Sequence, residues 1–116
     1  MSKIETSGNT GPHPFRSIEG ATSPTHGPTI ETGNYTKHGY QLACSNLGGS
    51  TKIAFYIFAK NELKSKWQRI AGYNISQTRN NNGVLYFDCW NFKYAKAAVI
   101  GNFDGASITV IEKHNA

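Results

Sequence analysis

Histidine, cysteine and carboxylate side chains are the residues of this chain that could perform catalysis or bind a metal. The histidines are His13, His26, His38 and His114. No pair of them has the spacing of a structural or catalytic zinc motif, so we expect solvent-exposed histidines and no metal site. The two cysteines, Cys44 and Cys89, fall on core-facing positions of predicted strands. They could pair across a sandwich, but reduced core thiols are favoured because no secretory signal is seen.

The carboxylates form no recognisable catalytic pair. Asp88 lies within a predicted strand and Asp104 belongs to an Asp-Gly turn, whereas a glycosidase needs two facing carboxyl groups. The Gly48–Gly49 pair is not followed by the Gly-Lys-Ser/Thr of a phosphate loop. We therefore predict that the protein is not an enzyme and that it uses no cofactor.

A basic cluster that contains a tryptophan is the strongest candidate for binding. It consists of Lys60, Lys64, Lys66, Trp67 and Arg69. Lysine and arginine beside an aromatic ring can hold single-stranded nucleic acid through phosphate contacts and stacking. The same residues can meet an acidic protein surface, or they can form a solvated loop whose tryptophan turns into the core.

The first 28 residues differ in composition from the rest and predict an extended arm. All four prolines lie there, and apolar residues are sparse. Proline fixes φ and removes a backbone donor, and a few scattered apolar side chains do not offset the entropy of ordering the segment. We expect an arm that becomes ordered on a partner through the residues around its densest proline cluster. These residues are Pro12, Pro14, Phe15, Arg16 and Ile18.

Residues 29–116 contain no proline and predict one all-β domain. Strands are expected at 39–46, 51–60, 66–71, 83–90, 94–101 and 106–113, with 29–35 as a further candidate. The connections at Gly48–Gly49, Asn82–Gly83 and Asp104–Gly105 are typical of hairpins with positive φ. Six to seven short strands with such turns predict an antiparallel β-sandwich preceded by the arm.

Alternation within the strands leaves aromatic residues on both faces. Phe55 and Ile57 point to one side of the 51–60 strand, so Tyr56 and Phe58 point to the other. Tyr86 and Trp90 occupy the same position in the 83–90 strand. Because several exposed aromatic rings are a solubility liability, we interpret these four residues as a face covered by a partner, another subunit or the arm.

Charge and hydropathy limit the kinds of surface that this domain is expected to bind. The net charge is +5, with 12 Lys and Arg against 7 Asp and Glu, and the arm is neutral, so the excess lies in residues 29–116. Such a domain is attracted to acidic surfaces. No window approaches the ~20 apolar residues of a membrane helix, and we expect no membrane association.

The order of motifs from residue 31 to 113 resembles that of small β-sandwich proteins of tailed bacteriophage particles. The resemblance comprises the entry Gly33–Asn34–Tyr35–Thr36, the Gly-Gly connection, a long apolar strand, a strand containing Trp67, and a last Gly turn before Ala106–Val110. It implies a virion structural protein made in the host cytoplasm. A capsid decoration (cement) protein is favoured over a head or tail fibre protein. The expected partners are the major capsid protein or another virion protein, and further copies of the chain as a dimer or trimer.

Two other classes of function remain open. A carbohydrate-binding module would use Tyr56, Tyr86, Trp67 or Trp90 as stacking platforms. A single-stranded nucleic-acid-binding module would use the basic cluster around Trp67, and its affinity would fall steeply with salt. We rank nucleic acid below a protein partner.

Overall fold

Alternating apolar residues build two antiparallel sheets that face each other. The computed structural model describes residues 13–78, 84–88 and 92–115. Its strands are β1 (Phe15–Ala21), β2 (Thr25–His26), β3 (Ile30–Glu31), β4 (Lys37–Ser45), β5 (Lys52–Lys60), β6 (Gln68–Ser76), β7 (Val84–Asp88), β8 (Tyr94–Asn102) and β9 (Ser107–Asn115). No helix capable of crossing a membrane occurs in these ranges. The predicted all-β sandwich is confirmed, with nine strands described where six to seven were expected.

The chain moves between the two sheets at almost every connection after β3. One sheet has the order β1-β9-β4-β7, and the other has the order β2-β8-β5-β6 with β3 also paired to β8. Only β5 and β6 are consecutive long strands that pair directly. The single turn between them, closed by a bond from Ser65 N to Glu62 O, keeps their ends together.

The core lies between the inward faces of both sheets. Every second residue of β5, namely Ile53, Phe55 and Ile57, is buried there beside Val99 of β8 in the same sheet, and Leu42 of β4 and Ile108 of β9 belong to the facing sheet. These positions include Phe55 and Ile57, whose inward direction was expected from alternation and is confirmed. Tyr40, Ile75 and Phe103 extend the core beyond that set, and the side chains of Leu85, Phe87 and Cys89 lie outside the description.

Two of the connections predicted as hairpins are instead corners between the sheets. Gly48–Gly49 joins β4 to β5 and Asp104–Gly105 joins β8 to β9. Only the second pair has positive φ, at 46° and 84°. The Asp104 carboxylate accepts a hydrogen bond from Ser50 N at 2.9 Å, which ties the two corners together. A Cβ at Gly48 would collide with Asp104. Gly48 is therefore needed for close approach rather than for a left-handed conformation.

The predicted arm is wrong over residues 13–28. Phe15–Ala21 forms strand β1 and pairs with β9, and Thr25–His26 pairs with β8. Ile18 is only 3% exposed and belongs to the core. Residues 13–28 can become ordered with few apolar side chains of their own, because their backbone groups hydrogen-bond to the sheet edges and Ile18 is buried in the core. Ala21 is buried as well.

The arm residues consequently separate into different environments. Ile18 is inside the core, and the half-buried Phe15 ring packs against His114 with a centroid distance of 6.2 Å. Pro14 is exposed, and Arg16 forms a surface ion pair with Glu19 at 3.2 Å. Pro12 lies outside the described residues. Of the predicted partner contacts, Ile18 is thus already used within the domain.

Replacing Ile18 by Ala should destabilise the whole domain, because the substitution leaves a cavity between the sheets. We expect a loss of about 2–5 kcal/mol in the free energy of unfolding, measured by urea denaturation. Its matched control is Glu19→Ala on the exposed side of the same strand, which should change stability by less than about 0.5 kcal/mol. Equal and small effects of both substitutions would show that β1 contributes little to the fold.

Candidate functional site

The outer face of the five-stranded sheet brings together residues that are distant in sequence. Arg69 of β6, Phe58 of β5 and Lys96 of β8 are register partners in one row across the sheet. In the next row Tyr56 lies between Gly72 and Ala98. Because alternate residues of a strand point to opposite sides, the burial of Phe55 and Ile57 places Tyr56 and Phe58 outside.

The Trp67 and Tyr56 rings on this surface each have a cation beside them. The Lys60 and Lys96 ammonium groups lie 4.2 and 4.9 Å from the centroid of the Trp67 ring. The Arg69 guanidinium lies 4.7 Å from the centroid of Tyr56. These distances are within the range of favourable cation–π contacts.

Phe58 lies between Arg69 and Lys96 on the outer side of the sheet, and its ring lies beside an ammonium group and a histidine ring. The Lys96 ammonium lies 5.9 Å from the Phe58 centroid. The His26 ring stacks on Phe58 with a centroid distance of 6.2 Å. We call the set His26, Tyr56, Phe58, Lys60, Trp67, Arg69 and Lys96 the cationic aromatic face.

The strands that carry this face contain no carboxylate to balance its charge. Strands β5, β6 and β8 hold Lys52, Lys60, Arg69 and Lys96, and no Asp or Glu. Glu31, on the short strand β3, is the acidic residue within the strands of this sheet. The face therefore concentrates the net positive charge of the protein and is complementary to an anionic partner.

The cations on the face are close enough to perturb one another. Partial burial, and then the positive charge of Lys60, lowers the pKa of Lys96. Partial burial, and then the charge of Lys96, lowers the pKa of His26. An anion placed over these groups would relieve the repulsion and would raise both pKa values.

A shallow open groove continues the face toward the other end of the sheet. Its volume is about 480 Å³, and its apolar floor includes Ala54, Tyr56 and Ile100, with Lys52 at one end. The surface thus combines an apolar floor with cations, which is the composition of a docking surface more than of an enclosed small-molecule pocket.

The structure divides the residues predicted for the basic cluster and the aromatic face. It brings Tyr56, Phe58, Lys60, Trp67 and Arg69 together. Lys64 and Lys66 lie exposed in the β5–β6 connection. Tyr86 is 61% exposed but belongs to β7 of the other sheet, so it cannot share this face. Trp90 lies outside the described residues.

Sequence reasoning missed two members of the face, His26 and Lys96. His26 was assigned to the arm, and only its pairing with Ala98 brings it onto the sheet. Lys96 is a single charge in the otherwise apolar stretch Tyr94–Ile100. An isolated lysine in an apolar strand indicates an outward-facing position, and this signal could have identified it.

A second cluster of polar residues is buried between β4 and β9. His38 and His114 are fully buried, and Glu112 is 1% exposed. The Nδ1 atoms of the two histidines are 2.9 Å apart, and His114 Nε2 lies 2.8 Å from Glu112 Oε1. The expectation that these two histidines would be exposed is wrong, because the β4–β9 register places them opposite each other on the inner side.

The three side chains form a continuous series of hydrogen bonds. Carboxylate oxygens accept, so His114 Nε2–H donates to Glu112 Oε1, and one hydrogen is shared between the facing Nδ1 atoms of His114 and His38. Phe92 stacks on His38 at a centroid distance of 4.8 Å, and Tyr40 meets His114 edge-on at 5.6 Å. Burial, and then the charge of Glu112, raises the pKa of Tyr40.

The hydrogen-bonded series of His38, His114 and Glu112 is separated from solvent, because both histidines are fully buried and Glu112 is 1% exposed. No group of three or more His, Cys, Asp or Glu within residues 13–78, 84–88 and 92–115 has the arrangement of a metal site. Burial raises the pKa of Cys44 to about 11, which keeps the thiol protonated and poorly nucleophilic. Cys89 lies outside the described part of the chain, so the state of the cysteine pair stays a prediction.

Comparison with known proteins gives a structural likeness but no family. No protein-family model matches the chain, and no curated protein matches it. The crystal structure of the SPBc2 prophage-derived protein YomS superposes with a TM-score of 0.63 at 18% sequence identity. The match covers 86% of this chain and 88% of that chain, so the two share their fold over nearly their whole lengths.

Lys96→Gln should raise the pKa of His26 toward its ordinary value. The substitution removes the positive charge beside the imidazole, whereas the partial burial of His26 remains, so the recovery should be partial. An NMR titration of the imidazole resonances measures this change. Lys113→Gln, which removes an equal charge from the other sheet, should leave the pKa of His26 unchanged. An unchanged value in both variants would contradict the proximity of Lys96 and His26.

His114→Phe should destabilise the protein by about 3–5 kcal/mol, because it leaves the Glu112 carboxylate buried without its partner. The double variant Glu112→Leu/His114→Phe should cost less than the single one, since no buried charge then remains. Urea denaturation of both variants tests this order. Lys113→Ala, on the exposed side of β9, serves as the control. A double variant less stable than His114→Phe would show that the buried polar chain itself stabilises the fold.

Proposed function

We propose that this protein is a non-catalytic structural component of a bacteriophage particle, a capsid decoration protein that binds the shell through the cationic aromatic face. The observation that carries the proposal is the open sheet surface on which Lys60, Arg69 and Lys96 rest on aromatic rings with no acidic residue on the same strands. Such a surface suits lasting contact with an acidic protein partner.

The likeness to YomS supports the phage origin within this proposal. That protein is prophage-derived, and its fold matches this one over most of both chains. The order of motifs in the sequence resembles particle proteins of tailed phages, which is an independent argument for the same origin. Localisation in the virion, after synthesis in the host cytoplasm, follows from the proposed role.

The positions of the cations favour a protein partner over a nucleic acid or a carbohydrate. A base or a sugar ring stacks on the face of an aromatic side chain, but the Trp67 and Tyr56 rings already have cations over them. Stacking would have to displace those cations and forfeit the cation–π contacts. Carboxylates of a protein partner can instead meet the cations where they already lie.

Binding to a shell in many copies allows each copy to bind through a small surface with weak individual contacts. The cationic residues are partly solvated, so each ion pair contributes only about 0.2–1 kcal/mol. Repeated copies that contact neighbouring shell proteins add these contributions, and each bound copy shifts the shell toward its assembled state. The proposed contact with the shell does not use Ile18 of the predicted arm, because this side chain is part of the core.

The test uses particles produced by the phage or lysogen that carries the gene. We expect the protein to co-purify with intact particles through a density gradient. Particles from a strain with the gene deleted should bind added wild-type protein, and Arg69→Glu/Lys96→Glu should bind at least about tenfold more weakly because like charges then face an acidic surface. Lys113→Glu/Lys37→Glu makes the same change in charge on the other sheet and should bind normally.

Two results would contradict the proposal. Absence of the protein from purified particles, with all of it in the unassembled fraction, would exclude a virion role. Tight binding to an oligothymidine that weakens steeply between low and moderate salt, with loss of affinity in Trp67→Ala, would favour the nucleic-acid alternative.

A further inference from the structure

The cationic aromatic face includes one histidine among its permanently charged and aromatic members. Its other ionisable side chains are lysine, arginine and tyrosine, which as residue types ordinarily change charge above about pH 9. An imidazole ordinarily does so between about pH 5 and 8. His26 is solvent-exposed, so protons reach its ring. The charge of the face can therefore change at His26 near neutral pH.

Backbone pairing and ring stacking together fix the position of His26. Its backbone pairs with Ala98 of β8, and the amide of the next residue, Gly27, donates to Ala97 O at 2.7 Å. Its ring stacks on Phe58 of β5, with a centroid distance of 6.2 Å and an angle of 23° between the ring planes. The imidazole therefore has a defined place on the face rather than a range of positions on a loop.

Lys96 is the charge that acts on His26 among the described residues. Its ammonium lies 5.9 Å from the centroid of the same Phe58 ring on which the imidazole stacks. Partial burial, and then the charge of Lys96, lowers the pKa of His26. Strand β1 also touches β2, but its charged residues Arg16 and Glu19 are paired with each other at 3.2 Å. An unbalanced positive charge therefore lies beside the imidazole.

We propose that a carboxylate of the acidic partner binds beside His26 and Lys96, and that the imidazole takes up a proton when this carboxylate binds. The proposal rests on the proposed function, since it specifies how pH regulates docking at the same face. A carboxylate at this position accepts a hydrogen bond from the imidazolium and offsets the charge of Lys96. Protonation of His26 therefore strengthens docking, and docking strengthens protonation by the same factor.

The direction of the pH dependence follows from these charges. In the free protein the pKa of His26 lies below its ordinary value of 6.5. A bound carboxylate raises that pKa. Affinity consequently increases as the pH falls through the pKa of the bound state, and it becomes constant below the pKa of the free protein. The gain corresponds to one additional solvated ion pair, about two- to fivefold in affinity.

The other described histidines do not lie on this face. His38 and His114 are buried at the β4–β9 pair of the other sheet. His13 is exposed and precedes β1, which also belongs to the other sheet. His13 therefore provides a matched control, because it titrates in the same range without contacting the face.

The experiment measures the anisotropy of a rhodamine-labelled peptide that alternates Asp and Ser over ten residues, bound to the full chain at constant ionic strength. Aspartate is ordinarily ionised above about pH 5.5, and any residual protonation of the peptide weakens binding at the lower pH. Tighter binding at the lower pH must therefore come from the protein. We expect the wild-type protein and His13→Gln to bind about two- to fivefold more tightly at pH 5.5 than at pH 7.5.

Two substitutions of His26 separate its proton from its position. His26→Gln cannot be protonated, so it should bind at both pH values as weakly as the wild-type protein does at pH 7.5. His26→Lys is positively charged throughout this range and should bind at both values as tightly as the wild-type protein does at pH 5.5. In an NMR titration, saturating peptide should raise the pKa of His26 by about 0.3–0.7, the logarithm of the same factor, and leave that of His13 unchanged.

The outcomes separate this proposal from the proposed function. The same pH dependence in His26→Gln as in the wild-type protein, or an unchanged pKa of His26 with peptide bound, would overturn proton uptake at this residue. Failure of the peptide to bind at either pH would overturn the carboxylate site, while the gradient experiment would still decide particle association. Absence of the protein from particles, with the expected behaviour of all three variants toward the peptide, would overturn the virion role and leave the proton-linked site standing.

Discussion

Strand β5 lies in the middle of the five-stranded sheet, and the alternation of its side chains determines what both surfaces of that sheet do. Ile53, Phe55 and Ile57 point inward and are covered by the other sheet. Tyr56 and Phe58 therefore point outward, between residues of β6 on one side and β8 on the other. A shift of one residue in this register would exchange the core with the cationic aromatic face, so the burial of the inner residues fixes the position of the outer ones.

The outer face is stable as an isolated surface because cations and aromatic rings cover one another. The stems of Lys60, Arg69 and Lys96 can shield apolar surface while their charged ends stay in water. The same arrangement leaves positive charges without acidic neighbours on β5, β6 and β8, and this crowding lowers the pKa of Lys96. The surface is thus electrostatically complementary to anions.

The two sheets differ in where their polar and charged residues lie. The four-stranded sheet holds the buried chain of His38, His114 and Glu112 at its β4–β9 pair, where every polar contact is internal. The five-stranded sheet instead carries the cationic aromatic face on its outer side. The hydrogen bond from Ser50 N to the Asp104 carboxylate joins two corners at which the chain passes from one sheet to the other. The buried polar residues and the proposed docking surface thus lie in different sheets.

The sequence by itself determined the all-β class, the approximate positions of β4 to β9 and most of the core, because alternation and turn residues are local signals. The same signals identified five residues of the cationic aromatic face, namely Tyr56, Phe58, Lys60, Trp67 and Arg69. Only the tertiary structure decided that Phe15–Ala21 is a strand, that His26 and Lys96 join the face, that Tyr86 lies on the other sheet, and that His38 meets His114. These features depend on pairing between segments distant in sequence. A short polar segment with one or two apolar residues becomes ordered only by pairing with a sheet edge and burying those residues in the core. Its own sequence does not show which sheet edge it will pair with.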